Sequence, residues 1–359
     1  MLPFQLPARR SCRETRACRT YAVCVVFLAG AMLSVAIRPS AAQDASVPQY
    51  TVPLGISLDE YPYPYPVHFL PLEIQGNAVR MAYMDVPPAS AAISNGKTVV
   101  LFHGKNFYGN SWNNTIKTLT GAGYRVVVPD QIGFGKSSKP EIDYSFDQLA
   151  ANTAKLLNTL GIKEAAVAGH STGGMLAVRF TRTYPERVTK LVLEDPIGLE
   201  DYRLKVPPQS TETLFKAEME QTPDKLRAFY MRYFAHPAPA LYEPSVEIAS
   251  RVLLSGEYSR WAKASALTYQ MIYRQPVRYE YSLLKPPTLL VVGDQDRTAV
   301  MRDYAPPDVA KTMGNIPELA RAAGKEIPNC KVVIVPDCGH VPHLEQPARF
   351  HQELLEFLK

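Results

Sequence analysis

The chain of 359 residues is poor in cysteine, with five in all. Three of them, Cys12, Cys18 and Cys24, lie near the N-terminus, which leaves Cys330 and Cys338 for the rest. The run between those two, Lys331–Val335, reads as a strand, and a strand rises about 3.3 Å per residue. Their sulfurs would then sit at opposite ends of it, beyond the roughly 7 Å between Cα atoms that a disulfide tolerates, so no bridge is expected. No Cys-x-x-Cys or His-Glu-x-x-His spacing occurs, so no metal site and no cofactor is indicated. There is no internal repeat and no basic stripe of the kind that binds nucleic acid.

Charge of one sign is also missing, except in one place. Residues 1–42 carry six arginines, no lysine and a single acid, Glu14. That segment accounts for the whole formal charge of +5, and the bases and acids that follow balance. Only Tyr21–Ile37 makes a long uncharged apolar run, and Ser40-Ala41-Ala42 follows it. A basic leader, an apolar stretch and a small-residue site together spell a secretory signal peptide. The expectation is cleavage after Ala42 and a secreted or periplasmic protein with no membrane attachment afterwards; a retained anchor is the alternative. Arg9-Arg10 has no apolar stretch close behind it and makes a poor twin-arginine signal. No cysteine directly follows the run, which argues against a lipoprotein.

What is present is an alternation of strands and helices. Residues 43–66 are rich in Pro and Tyr and read as an extended arm. Strands are expected at Val67–Ile74, Ala78–Asp85, Thr98–Phe102, Tyr124–Val128, Ala165–Ala168, Leu191–Leu193, Thr288–Val292 and Lys331–Val335. Helices are expected at Ser111–Leu119, Ser145–Leu160, Thr172–Tyr184 and Pro347–Leu358. Continuous apolar runs such as Thr98–Phe102 suit strands buried on both faces. The pattern predicts a mostly parallel sheet with helices on both faces, formed by 67–195 and 285–359. Residues 196–284 break it: they are helical and aromatic, with no buried strand, and read as an insertion between two core strands.

Gly169-His170-Ser171-Thr172-Gly173 is Gly-x-Ser-x-Gly between an expected strand and an expected helix, the context in which a serine on a sharp turn becomes a nucleophile. A neutral hydroxyl needs a base. Of the seven histidines, His340 stands out, after a strand and before the last helix. His170 is expected to point away from the hydroxyl and His103 to hold a loop. His68, His236, His343 and His351 have no supporting context. The base needs a carboxylate. Asp294 and Asp296 both follow Thr288–Val292; Asp296, further into the loop, reaches more easily and is chosen, with Asp195 a third candidate. The oxyanion requires two N–H donors. Thr172 supplies one and Lys105 the other, with Asn106 in reserve; the Lys105 side chain could be solvated or could bind substrate.

These residues resemble the α/β-hydrolase-fold superfamily. The matching motifs are His103-Gly104, Asp130-Gln131-Ile132-Gly133-Phe134-Gly135-Lys136-Ser137, the Gly169–Gly173 elbow, Gly293-x-x-Asp296, and Gly339-His340 followed by Glu345-x-Pro347. They run in the family's order and cover about 67 to 359. The resemblance implies that Asp296 is the acid and that 196–284 is a helical cap after the sixth strand. The core is similar to haloalkane dehalogenases and epoxide hydrolases, but those use Asp where this chain has Ser171. Esterases, carbon–carbon bond hydrolases, cofactor-free haloperoxidases and acyltransferases share a serine there. Peptidase relatives show His-Gly-Gly-Pro-Gly, which His103-Gly104-Lys105-Asn106-Phe107 does not match. The expectation is a serine hydrolase acting on a partly apolar, ester-like small molecule. The runners-up are the other serine chemistries and a non-catalytic binding protein of the same fold. Nothing in the sequence sets the oligomeric state.

Overall fold

A computed structural model describes residues 48–359. The signal-peptide assignment and the first residues of the arm lie outside them.

Among the described residues eight strands form one sheet: β1 (Val67–Ile74), β2 (Asn77–Val86), β3 (Thr98–Phe102), β4 (Arg125–Pro129), β5 (Ala165–His170), β6 (Val188–Glu194), β7 (Thr288–Gly293) and β8 (Cys330–Val335). Their order across the sheet is β1-β2-β4-β3-β5-β6-β7-β8. β1 and β2 form a hairpin in which Ile74 faces Asn77, and β2 runs antiparallel to β4. The turn at Gln75-Gly76 has positive φ at both residues, the geometry that matches strand twist in a two-residue loop. All other pairings are parallel, as the strand–helix alternation predicts. β5 and β6 run longer than their apolar centres suggest, because His170 and Glu194 still pair across the ladder.

Side chains of the parallel strands alternate between two apolar layers. Val100, Phe102, Val167, Leu193 and Val292 pack against α2 (Phe146–Thr159), α3 (Thr172–Thr183) and α9 (Ile316–Glu326). Val99, Leu101, Ala168, Val192 and Val291 pack against α1 (Asn113–Gly121) and α11 (Pro347–Leu358). This period of two, with both faces covered, is why the strands read as continuous apolar runs. At the start of the expected helix Ser111–Leu119, residues Gly109–Trp112 make a 3₁₀ turn before α1.

Between β6 and β7 lie α4 (Thr211–Met219), α5 (Pro223–Met231), α6 (Pro239–Leu253) and α7 (Tyr258–Arg274). Two short helices, α8 (Pro307–Ala310) and α10 (Pro342–Glu345), sit in the loops after β7 and β8. Leu54, Ile56 and Leu58 of the N-terminal arm are buried with Ile248 and Val252 of α6. Cys330 and Cys338 are free thiols, as the strand between them requires. No helix among the described residues is long and apolar enough to cross a membrane.

Candidate active site

The C-terminal ends of the parallel strands gather the singled-out residues. Ser171 links β5 to α3 with φ 54° and ψ −118°. A side chain in that region is strained. The fold holds it there by close backbone approach. A Cβ on Gly169 would lie 2.2 Å from the Gly173 carbonyl oxygen, and one on Gly173 would lie 2.3 Å from that of Phe102. The Ser171 amide donates to the Glu194 carbonyl at 3.0 Å. Its hydroxyl makes no capping bond to α3 and so is not spent on the helix. Thr172 opens α3, where amides lack intrahelical acceptors.

The structure joins His340 to Asp296. His340 Nδ1 donates to Asp296 Oδ2 at 2.7 Å, and both side chains are about 1% exposed. That bond fixes the tautomer and leaves Nε2 bare; it is buried, with no hydrogen-bond partner among the described residues. Tyr233, beyond α5, stacks on the imidazole at 5.1 Å, and its carbonyl accepts from the His340 amide at 2.6 Å. A Cβ on Gly339 would come 2.3 Å from that carbonyl, so glycine is what permits the approach. His170 turns its ring to the same loop, and its Nε2 donates to the His340 carbonyl at 2.8 Å.

The other acid candidates do different work. Asp294 accepts from the Cys338 amide at 3.2 Å and ties the β7 loop to the β8 loop. Asp195 is fully buried, and its carboxyl accepts from the Gly293 amide at 3.1 and 3.2 Å. It also hydrogen-bonds Asp296. Two carboxylates in contact in a dry interior do not both ionise. Burial, then the neighbouring Asp296 charge, pushes Asp195 well above the carboxylate range, so it keeps its proton and donates. Burial alone would raise Asp296 too; the His340 charge and bonds from His340, Asp195 and Thr298 outweigh it and hold the carboxyl down at about 2.

The loop after β3 carries Lys105 and Asn106. The Lys105 side chain is not solvated. Its ammonium donates to the Ser265 carbonyl at 2.9 Å and to the Ser265 and Thr268 hydroxyls at 2.8 Å each, and it lies 3.9 Å above the Tyr269 ring. Burial, partly opposed by Glu218, lowers it to about 8. All three of its protons are used on α7, so the amine is saturated rather than poised for substrate. Asn106 donates to the Tyr233 hydroxyl at 2.9 Å. His103 receives the Gln131 amide at 3.0 Å and donates to the Gly104 carbonyl at 2.8 Å, which holds this loop against the next.

Sequence reasoning missed a second buried pair. His343 Nδ1 sits 3.0 Å from both carboxyl oxygens of Glu194, and its amide donates to Glu194 at 2.7 Å. Its ring stacks on Trp112 at 4.2 Å. The only signal available was a pair of acids, Glu194-Asp195, ending an apolar strand. His351 likewise has a setting, between the hydroxyls of Thr115 and Thr118.

Ser171 and Thr172 open on a cavity of about 740 Å³, whose wall includes Lys105, Phe107, Ile197, Phe229, Tyr233 and Tyr269. A pocket of this size suits a small molecule.

Comparison with known proteins agrees with this architecture. The sequence profile of the alpha/beta hydrolase fold matches residues 97–347. A solved structure, a probable hydrolytic enzyme from Pseudomonas aeruginosa PAO1, superposes with a TM-score of 0.83 at 43% identity, covering 86% of this chain and 99% of that one. Lipase 1 of Psychrobacter immobilis is 30% identical over 258 residues, 70% of this chain and 73% of its own. A 2-hydroxy-6-oxononadienedioate/2-hydroxy-6-oxononatrienedioate hydrolase of Paraburkholderia phymatum is 28% identical over 288 residues, 79% of this chain and 92% of its own.

Proposed function

The chain belongs to the alpha/beta hydrolase fold family and is an enzyme of that type, and on that premise we propose that it is a serine hydrolase of ester-like acyl substrates. Ser171 attacks the carbonyl carbon. His340 Nε2 takes the hydroxyl proton and returns it to the leaving oxygen. Asp296 orients the ring and stabilises the imidazolium, while the Thr172 and Lys105 amides hold the oxyanion. Water, activated by His340, then releases the acid. The observation that carries this reading is the 2.7 Å bond from His340 Nδ1 to a carboxylate held ionised at about 2. It leaves the opposite nitrogen free to act as the base for a serine on a positive-φ elbow.

The test is covalent. A fluorophosphonate probe is expected to label Ser171, and Ser171→Ala is expected to lose both the label and on the order of 10³-fold or more in turnover. Labelling elsewhere, or near-normal turnover, would end the assignment. Carbon–carbon bond hydrolysis is a second reading, supported by the name of the Paraburkholderia relative; it would use the same residues on a ketone carbonyl. We also infer that residues 1–42 export the chain. A mature N-terminus at Gln43 after expression with its leader is the expected result, and an intact leader on the exported protein would overturn it.

A further inference from the structure

The cavity at Ser171 has an uneven charge. Five cations contribute to its wall, Lys105, Lys225, Arg232, Arg297 and Arg302, against two carboxylates, Glu218 and Asp303. Lys105 and Glu218 settle each other, because the Ser265 hydroxyl accepts from one and donates to the other. That leaves four cations facing one acid. Among the described residues none of the four makes an ion pair with a carboxylate. Arg179, Arg203, Arg227 and Arg278 elsewhere each rest on one.

These cations are also placed. Arg297 donates to the carbonyls of Asp294 and Asp296 at 3.1 and 2.7 Å. Arg302 donates to those of Arg297 and Met313 at 2.7 and 2.5 Å. Gly314, at φ +70°, makes room for it: a Cβ there would lie 2.5 Å from its guanidinium. Arg232 packs over the Phe229 ring at 5.3 Å, and Lys225 donates to the Glu220 carbonyl at 2.8 Å. Two of the four come from the core loop after β7 and two from the α5 region, so both sides of the cavity contribute. Residues 43–359 balance their charges overall, so this is a local concentration of one sign. Uncompensated like charges repel, and a neutral ligand gains nothing from them. A cleft lined by one sign draws the opposite ion and raises its local concentration.

We propose that the substrate is an anion, an acyl compound whose far end carries a carboxylate received by Arg232, Arg297, Arg302 and Lys225 while its reacting carbonyl lies at Ser171. This rests on the hydrolase reading above and names its substrate class. The test compares mono-4-nitrophenyl glutarate with 4-nitrophenyl butyrate, esters that differ in a terminal carboxylate. Equilibrium binding of both to the Ser171→Ala protein is measured by calorimetry at low salt and at about 0.5 M NaCl. The anionic ester is expected to bind at least about fivefold more tightly at low salt, and the preference is expected to shrink toward parity at high salt and in the combined variant Arg232→Gln, Lys225→Gln. A neutral ester that binds as well, or an anionic preference unmoved by the substitutions, overturns the proposal. Turnover by the unsubstituted enzyme is scored separately. If neither ester is cleaved, the hydrolase reading fails, while the binding comparison still decides the charge of the ligand.

Discussion

Two histidine–carboxylate pairs lie three residues apart along the chain and are built alike. His340 meets Asp296, and His343 meets Glu194, in both cases through Nδ1 and with every partner buried. Their electrostatics run in opposite directions. Asp296 gathers bonds from His340, Asp195 and Thr298 and is held down at about 2. Among the described residues the Glu194 carboxyl meets only the amide and ring of His343, and burial pushes it up to about 7. His343 itself is lowered to about 3, first by burial and then by His340, so that pair is neutral below about pH 7. The number of donors converging on the carboxylate separates an ionised acid from a fastener. The settings agree: Tyr233, which covers His340, lines the cavity, whereas His343 is sandwiched against Trp112.

The sharpest way to break that contrast is to remove each ring. His340→Ala is expected to cost on the order of 10³-fold or more in turnover. His343→Ala is expected to cost about 10-fold or less in turnover but about 1–3 kcal/mol in stability, because it strands the buried Glu194 carboxyl. Equal activity losses would show that both pairs serve the chemistry. The acids give a smaller and more selective effect. Asp296→Asn offers an amide where His340 needs an acceptor, and turnover is expected to fall by about 10²- to 10⁴-fold. Asp195→Asn keeps a donor toward Asp296 and an acceptor for Gly293, and a loss of no more than about fivefold is expected. The opposite ranking in steady-state assays would move the acid to Asp195.

How much of this was legible follows from what each residue depends on. The elbow was readable because its glycines, its serine and the strand and helix around it are local, and sterics dictate their order. Asp296 and His340 each follow a recognisable strand. The Glu194–His343 pair is joined across 149 positions, between a strand end and a loop, and neither residue carries a local mark. Lys105 was unreadable for the same reason: its three acceptors lie on α7, about 160 positions away. Its sequence neighbourhood points its backbone to the proposed oxyanion site but says nothing of where a flexible side chain finds partners. Asp195 could be seen as a carboxyl at the right sheet edge, but not as a protonated one, since that follows from its contact with Asp296 in a dry interior.

The smallest expected effect concerns Glu194 and carries a definite sign. Its folded pKa is raised from 4.5 to about 7. Between those values the folded protein keeps a proton that the unfolded chain has released. Stability from this group is therefore full below about pH 4.5 and is lost as pH rises through about 7. Glu194→Gln cannot titrate. The melting temperature of the unsubstituted protein minus that of this variant is thus expected to be larger near pH 5 than near pH 8. Asp296 has the opposite sign, its contribution present above 3.8 and lost as pH falls through about 2, so it is silent in that window. A difference that stays constant across the window would mean that Glu194 is ionised throughout. The two pairs would then differ only in what their histidines face.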